Sequence, residues 1–258
     1  MKIVVLMKQV VNKDAVLRIK ADCSWIEESD VALQTSESDG YALEEALRLR
    51  EAKGQGEVVV CSVGTHAAKS VIKDALARGA NRGIHIINNE PHKLSPYQTA
   101  KMIAEVIKGE NPDLIFTGLQ SDDLGYGQTG VILAELLGIP HATIVIEIDR
   151  SSLSDTLRVK RELESGWYQW FNYRLPALFT IQSGISQIRY ASLKGIMEAK
   201  KKEIKEIVMD APAFSSAQKI QKVYLPVKTK QTQILGNGDA KRGAVELVEK
   251  LKNEARVI

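Results

Sequence analysis

A chain of 258 residues with 44% hydrophobic and 26% charged side chains has an ordinary globular composition, long enough for one large α/β domain or two small ones. The formal net charge of +3 is too small to imply nucleic acid as a partner, and no apolar run approaches the ~20 residues needed to cross a bilayer. Two cysteines, Cys23 and Cys61, exclude a disulfide framework and lack the paired spacing of a zinc or iron–sulfur site, which points to a reducing cytoplasm.

The first strand is read at Lys2–Met7, whose apolar stretch from Ile3 is too short for a signal peptide core. Two short extended runs, Ala15–Lys20 and Trp25–Glu28, then form a hairpin excursion from the sheet edge. Leu43, Ala46 and Leu47 share one helical face ahead of a second strand at Glu57–Val63. Ala68, Val71, Ile72, Ala75 and Leu76 mark the next helix, which Gly79 is placed to end, before a strand at Gly83–Ile87. Ser95 is an N-cap with Pro96 at the first helical position, and the pattern runs through Ala100, Ile103, Ala104 and Ile107 to Gly109. Strands at Asp113–Gly118 and Ala142–Ile148 flank a helix that begins near Gln128.

After Asp149 the texture changes. Thr156–Leu163, Trp167–Arg174 and Ala177–Gln182 read as three successive strands of an antiparallel meander, with Trp167, Trp170 and Phe171 packing one face of it rather than stacking on a ligand. From Ser192 a helix with Leu193, Ile196 and Met197 on one face runs into the basic stretch Lys200–Lys202. A polar connector around Asp210–Gln221 carries Pro212, and a last helix from about Asp239 to Ala255 puts Val245, Val248 and Leu251 on one stripe. The chain from Ala199 onward carries thirteen Lys/Arg against seven Asp/Glu, a basic tail suited either to a solvated helix face or to something acidic. The fold class is therefore α/β: a Rossmann-like parallel sheet with helices on both faces, an appended antiparallel meander and a C-terminal helical tail. The division is residues 1–209 for the α/β domain and 210–258 for connector and tail.

The densest glycine cluster, Gly118 to Gly130, lies between a strand and a helix start, where free amides attract an anion such as phosphate. Gln128 and Thr129 add side-chain donors, and Asp122 and Asp123 are placed to accept from a ribose or an amino group. Gly125–Gly130 formally fits G-x-G-x-x-G, with Glu147 or Asp149 following. Because Leu119–Leu124 separate strand from glycines, a mononucleotide or ADP moiety suits the loop better than a dinucleotide. The loop Val63-Gly64-Thr65 and the end of the first strand at Leu6–Lys8 belong to the same end of a parallel sheet, so all three segments are expected to share one crevice. Lys8 is a candidate phosphate contact. His66, His85, His92 and His141 are scattered without metal-ligand spacing, and His85 reads as a packed or edge residue rather than a base. Ser183-Gly184 lacks the context of a nucleophile elbow, and nothing in the chain looks equipped for covalent catalysis alone.

Several stretches together carry a resemblance: Met7-Lys-Gln-Val10, Asp39-Gly-Tyr-Ala-Leu-Glu-Glu-Ala46, Ala75-Leu-Ala-Arg-Gly-Ala80, Arg82-Gly-Ile-His85 and Gln128-Thr-Gly130. To these add Leu175-Pro-Ala-Leu178, Thr180-Ile-Gln-Ser-Gly-Ile185 and the block Arg189-Tyr-Ala-Ser-Leu-Lys-Gly-Ile-Met-Glu-Ala-Lys-Lys-Lys202. From end to end the chain resembles the β subunits of electron-transfer flavoproteins. That resemblance implies a heterodimer with an α subunit holding most of the site for the redox FAD, the C-terminal helix docking on that subunit. It further implies a structural AMP in the crevice of this chain, contacted at Leu6, Ser36–Asp39, Val63 and Gly118–Thr129, with the helix start at Gln128–Thr129 taking the phosphate. Residues 189–203 correspond to the family's recognition loop for a partner dehydrogenase, with Leu193 as apolar anchor among Arg189, Tyr190, Ile196, Met197 and Lys200. Electrons would pass on to a quinone reductase or another acceptor. This chain has Gly127 where the family commonly has Asn. The alternative is a bifurcating member, in which a second FAD occupies the crevice and takes hydride from NADH.

Overall fold

The early apolar runs are continuous rather than alternating, as strands covered on both faces require. In the computed structural model, which describes residues 1–29, 31–151, 154–213, 218–227 and 232–258, they become parallel strands. In chain order the strands are β1 (Lys2–Leu6), β2 (Gln9–Val11), β3 (Leu33–Thr35), β4 (Glu57–Gly64), β5 (Arg82–Ile87) and β6 (Leu114–Gly118). They continue with β7 (His141–Ile148), β8 (Thr156–Glu162), β9 (Tyr168–Arg174), β10 (Ala177–Ile181) and β11 (Ile204–Val208). Nine of them form one sheet in the order β11-β5-β4-β1-β6-β10-β7-β8-β9, while β2 and β3 pair separately. Helices α1 (Glu37–Lys53) and α2 (Lys69–Arg78) cover one face, burying Leu43, Leu47, Ile72 and Leu76 against Ile3, Val5 and Val60. Helices α3 (Pro96–Ile107) and α4 (Thr129–Leu137) cover the other, burying Met102, Ile103 and Leu133 against Val4, Ile84 and Ile115.

Local chemistry sets these boundaries. Ser95 and Gln98 form a reciprocal capping box with Pro96 in the first turn, so α3 starts where the Ser-Pro pair predicts. Gly54 and Gly138 end α1 and α4 in the left-handed conformation. From β1 the chain moves to β4 and β5 on one side, then crosses to β6 on the other side of β1. The carboxyl ends of β1 and β6 therefore flank a topological switch point, the place where open α/β sheets leave a crevice.

The meander differs from its prediction in one strand. β8 and β9 are antiparallel, pairing Thr156 with Arg174 through Glu162 with Tyr168, and β8 pairs antiparallel with β7. The third run does not continue them. β10 returns to the sheet centre and pairs in parallel with both β6 and β7. Its five residues are all buried, and that continuous burial distinguishes a central parallel strand from the alternating, half-exposed β8 and β9. The aromatic residues beside it divide as well. Tyr173 packs edge-on against Phe179 and Phe171 lies tilted against Tyr173, Trp170 lies 4.7 Å under the Arg158 guanidinium, and Trp167 is exposed.

β11 was not read from the sequence. Its Ile-Lys-Glu-Ile-Val pattern has two exposed charges because it is the sheet's edge, paired only with β5. The 15–28 excursion is a loose hairpin with one antiparallel bridge, Ile19 to Ile26, and Trp25 stacks on His92 at 5.0 Å. Two compact units divide the chain, residues 1–223 and 224–258. In the first, the segment after β11 is tied down by Asn88 Nδ2 to the Met209 carbonyl (3.0 Å) and by the Val223 N–H to the Cys23 carbonyl (2.8 Å). Part of the connector, 214–217, lies outside the described residues. In the second, Asp239 caps α6 (Ala240–Lys250), which continues as a π-turn through Leu251–Ala255, with Val245 and Val248 exposed.

Candidate functional site

At the switch point a crevice is lined by several elements of the fold. The end of β1 contributes Leu6, Met7 and Lys8, and β4 contributes Cys61 and Val63. Thr117, Gly118, Leu119, Gln120, Ser121, Leu124, Tyr126 and Gly127 come from β6 and the loop after it, and Gln128, Thr129 and Gly130 from the start of α4. Pro91, Leu94, Pro96, Thr99 and Ile103 form the wall in front of α3, and Asp39 enters from the first turn of α1. Leu6, Asp39, Val63, Gly118, Gly127, Gln128, Thr129 and Gly130 are thus brought together in one lining. Ser36, Gly64, Asp122, Asp123 and Gly125 do not line the crevice but build its rim.

The rim is held by polar bonds within the chain. Ser36 is fully buried, and its Oγ accepts the Asp122 N–H at 3.2 Å. Asp122 accepts the Glu37 N–H at 2.8 Å, supplying α1 with the carboxylate cap that its own N-cap serine does not provide. Asp123 pairs with Lys8 Nζ at 2.7 Å. Burial alone would raise the Asp123 carboxyl, but the Lys8 charge and the hydrogen bonds around it bring the pKa below its usual value. These two aspartates, read as ligand acceptors, already have partners in the fold. Gly64 allows the turn after β4 to close, since a Cβ there would lie 2.7 Å from that of Ala68. Glu147 faces Lys160 across the β7–β8 pair and Asp149 accepts from Ser151, so neither lies at the crevice.

Two glycines of the loop, Gly125 and Gly127, adopt φ of +61° and +62°, a left-handed conformation that side chains disfavour. Gly118 and Gly130 serve close approach instead. A Cβ on Gly118 would meet Ser38 Oγ at 2.1 Å, and one on Gly130 would meet Thr117 Oγ1 and Thr180 Cγ2 at 2.9 Å. The second contact presses α4 directly onto β6 and β10. The N-cap of α4, Gln128, makes no side-chain cap bond among the described residues. The first amides of α4 therefore open on the glycine-rich side of the crevice with the positive end of the helix dipole, a donor set matched to an anion. The opposite wall is apolar. A phosphate-bearing group with a flat apolar body fits this division of the lining.

His85 is fully buried, its Nε2 bonds the Thr65 carbonyl at 3.0 Å, and burial pushes its pKa down, as a packed residue rather than an exposed base. Burial pushes the Cys61 thiol up to about 12, leaving it neutral in the crevice wall.

A second surface lies on α5 (Leu193–Ala199), none of whose residues is buried. Tyr190, Leu193, Ile196 and Met197 are exposed at 94%, 84%, 44% and 69%, an apolar group flanked by the exposed Lys194, Lys200 and Lys201. Its back is fixed. Ser192 caps the helix, a Cβ on Gly195 would lie 2.1 Å from the Ala77 carbonyl oxygen, and Lys202 Nζ donates to the Leu76 and Ala80 carbonyls at the end of α2. Arg189, grouped with this surface by resemblance, turns inward to Glu44 (2.9 Å) and Glu51 (2.5 Å) of α1.

The electron transfer flavoprotein domain matches residues 24–212. The chain is 34% identical to the electron transfer flavoprotein subunit beta of Methylophilus methylotrophus, covering 92% of this chain and 93% of that one. It is 37% identical to the mitochondrial electron transfer flavoprotein subunit beta of Arabidopsis thaliana over the whole of both chains, and 36% identical to the electron transfer flavoprotein subunit beta of Bradyrhizobium diazoefficiens, again over both chains. The chain belongs to the electron-transfer flavoprotein β-subunit family. Within that family its motif residues acquire physical roles: Glu44 holds Arg189 and Arg48, Glu45 holds Arg150, and Arg82 joins Glu57 and Glu110 beneath the sheet. The described helices include none long and apolar enough to cross a membrane.

Sequence reasoning missed the wall from Pro91 to Ile103 and the lining role of Tyr126. The Ser95-Pro96 signal was available for the wall. In a parallel sheet every strand-to-helix loop opens at the carboxyl end, so the start of α3 shares the end that carries the glycine loop. For Tyr126 no sequence signal exists.

Proposed function

We propose that this chain is the β half of a heterodimeric electron-transfer flavoprotein, moving electrons from a dehydrogenase to a quinone reductase or another acceptor. In this reading residues 210–258 carry the tail that docks on the α subunit, and the chain completes the surroundings of the FAD held there, in a cytoplasmic setting. AMP is held in the crevice: the α4 start at Gln128–Thr129 takes the phosphate, Gly118–Gly127 let the backbone approach, and Leu6, Val63 and Leu94 cover the base. The FAD of the α subunit supplies the redox chemistry. This chain binds, orients and excludes water, and contributes no general acid or base of its own.

The observation that carries the reading is the uncapped start of α4 facing a glycine-rich loop at the switch point. For the surface around α5, exposed Leu193 among lysines suits a partner that buries one apolar anchor and carries acidic groups at its rim. The test is nucleotide content of the complex purified with its α subunit, released by heat and quantified. One FAD with one AMP supports the reading. Two FAD without AMP replace it with the bifurcating alternative, and no nucleotide beyond the α-subunit FAD removes the crevice assignment.

A further inference from the structure

One carboxylate stands in the crevice wall without an ion-pair partner among the described residues. Asp39, 7% exposed, accepts the Lys8 N–H on Oδ2 and the Gly118 N–H on Oδ1, both at 2.8 Å. These amides sit at the carboxyl ends of the adjacent strands β1 and β6, so a single side chain from α1 bridges both sides of the switch point. The charged groups around it come from each neighbouring element. From the end of β1, the Lys8 ammonium is engaged with Asp123 of the loop after β6. From that same loop Asp122 adds a second negative charge, bound to the Glu37 N–H of α1. Tyr126 and the neutral Cys61 thiol are the other titratable lining groups. Burial raises the Asp39 carboxyl to about 7, against the pull of its two backbone hydrogen bonds and of Lys8.

We propose that Asp39 is the proton-binding group of the crevice: an anionic nucleotide binds together with one proton from solvent, which lodges on the Asp39 carboxyl. The inference rests on the nucleotide reading above. Two negative groups drawn into one poorly hydrated crevice disfavour each other's ionisation. A protonated Asp39 keeps a lone pair for each backbone amide and gains an O–H donor, so uptake leaves the β1–α1–β6 bridge intact. Linkage sets the sign. Below the pKa of the free carboxyl the proton is already present and affinity is constant, and above it affinity falls as pH rises.

The test uses the heterodimer stripped of its crevice nucleotide, titrated calorimetrically with AMP at pH 7.5 in buffers of different ionisation heat. The second phosphate ionisation of AMP has a pKa of ~6 and is essentially complete at pH 7.5, so uptake there reports on the protein. The expected result is about a third to two-thirds of a proton taken up per AMP by the unmodified complex and almost none by Asp39→Asn, with Asp39→Ser as a second variant should the first not assemble. Correspondingly, AMP affinity in the unmodified complex falls roughly three- to tenfold between pH 6.5 and 8.5 relative to the variant, tenfold matching one pKa unit. No uptake, or equal uptake in the variants, overturns the inference and leaves the nucleotide site standing. Failure to bind AMP at any pH removes the site and the inference together.

Discussion

Arg150→Ala isolates the ion pair that ties α1 to the turn between β7 and β8. Glu45 is fully buried at the middle of α1, and its Oε2 lies 2.5 Å from Arg150 Nη2, while Oε1 has no hydrogen-bond partner among the described residues. Removing the arginine leaves a carboxylate inside the protein with nothing to offset its lost hydration, an effect of about 3–5 kcal/mol. At roughly 2–4 °C per kcal/mol for a chain of this size, the thermal midpoint should fall by roughly 6–20 °C. Adding Glu45→Gln in the same background removes the charge and leaves only an unpaired amide, which costs about 1–3 kcal/mol, so part of the loss should return. Thermal and urea unfolding followed by circular dichroism measure both. A loss below about 1 kcal/mol, or a Gln variant no more stable than Arg150→Ala alone, would refute the reasoning, because the pair would then be of the exposed kind.

Gly118→Ala drives a methyl into Ser38 Oγ and the Asp39 backbone nitrogen, at 2.1 and 2.8 Å, so it should destabilise by about 1–3 kcal/mol and empty the crevice of nucleotide. Unfolding midpoints and nucleotide content of the purified complex check it. Leu193→Ala, at a side chain 84% exposed, should leave stability within about 0.5 kcal/mol while slowing electron transfer from the dehydrogenase. Flavin loss in that variant would make α5 a structural helix instead. Hydrogen bonds from Arg189 hold the Glu51 carboxyl below its usual value, and at Glu44 burial is outweighed by hydrogen bonds from Arg189 and Arg48 together. Depressed carboxyls bind protons more readily when unfolded, so their stabilisation is present above the ordinary glutamate range and lost as pH falls below it. Urea midpoints should therefore drop more steeply between pH 5 and pH 3 in the unmodified protein than in Arg189→Gln, and parallel curves would exclude the contribution.

Much of this was legible in residue order. Unbroken Val/Ile runs bounded by Gly and Pro predict buried parallel strands, and the Ser95-Pro96 and Gly79 signals place helix ends because capping is local chemistry. The glycines from Gly118 to Gly130 announce a backbone that something must approach closely. Long-range pairing was not legible. Ala177–Gln182 follows two antiparallel runs in the chain, yet its first five residues pair in parallel with β6 and β7, since its burial on both faces depends on strands that lie well before it in the chain. Likewise no pattern states that Asp122 and Asp123 are engaged by Glu37 and Lys8, or that Arg189 turns inward to Glu44. Periodicity, caps and turns are set within a few residues and survive translation into a string. Which donor meets which acceptor across the switch point is decided only when the sheet brings β1, β6 and α1 together, and that arrangement sets Asp39 between the Lys8 and Gly118 amides in the crevice wall.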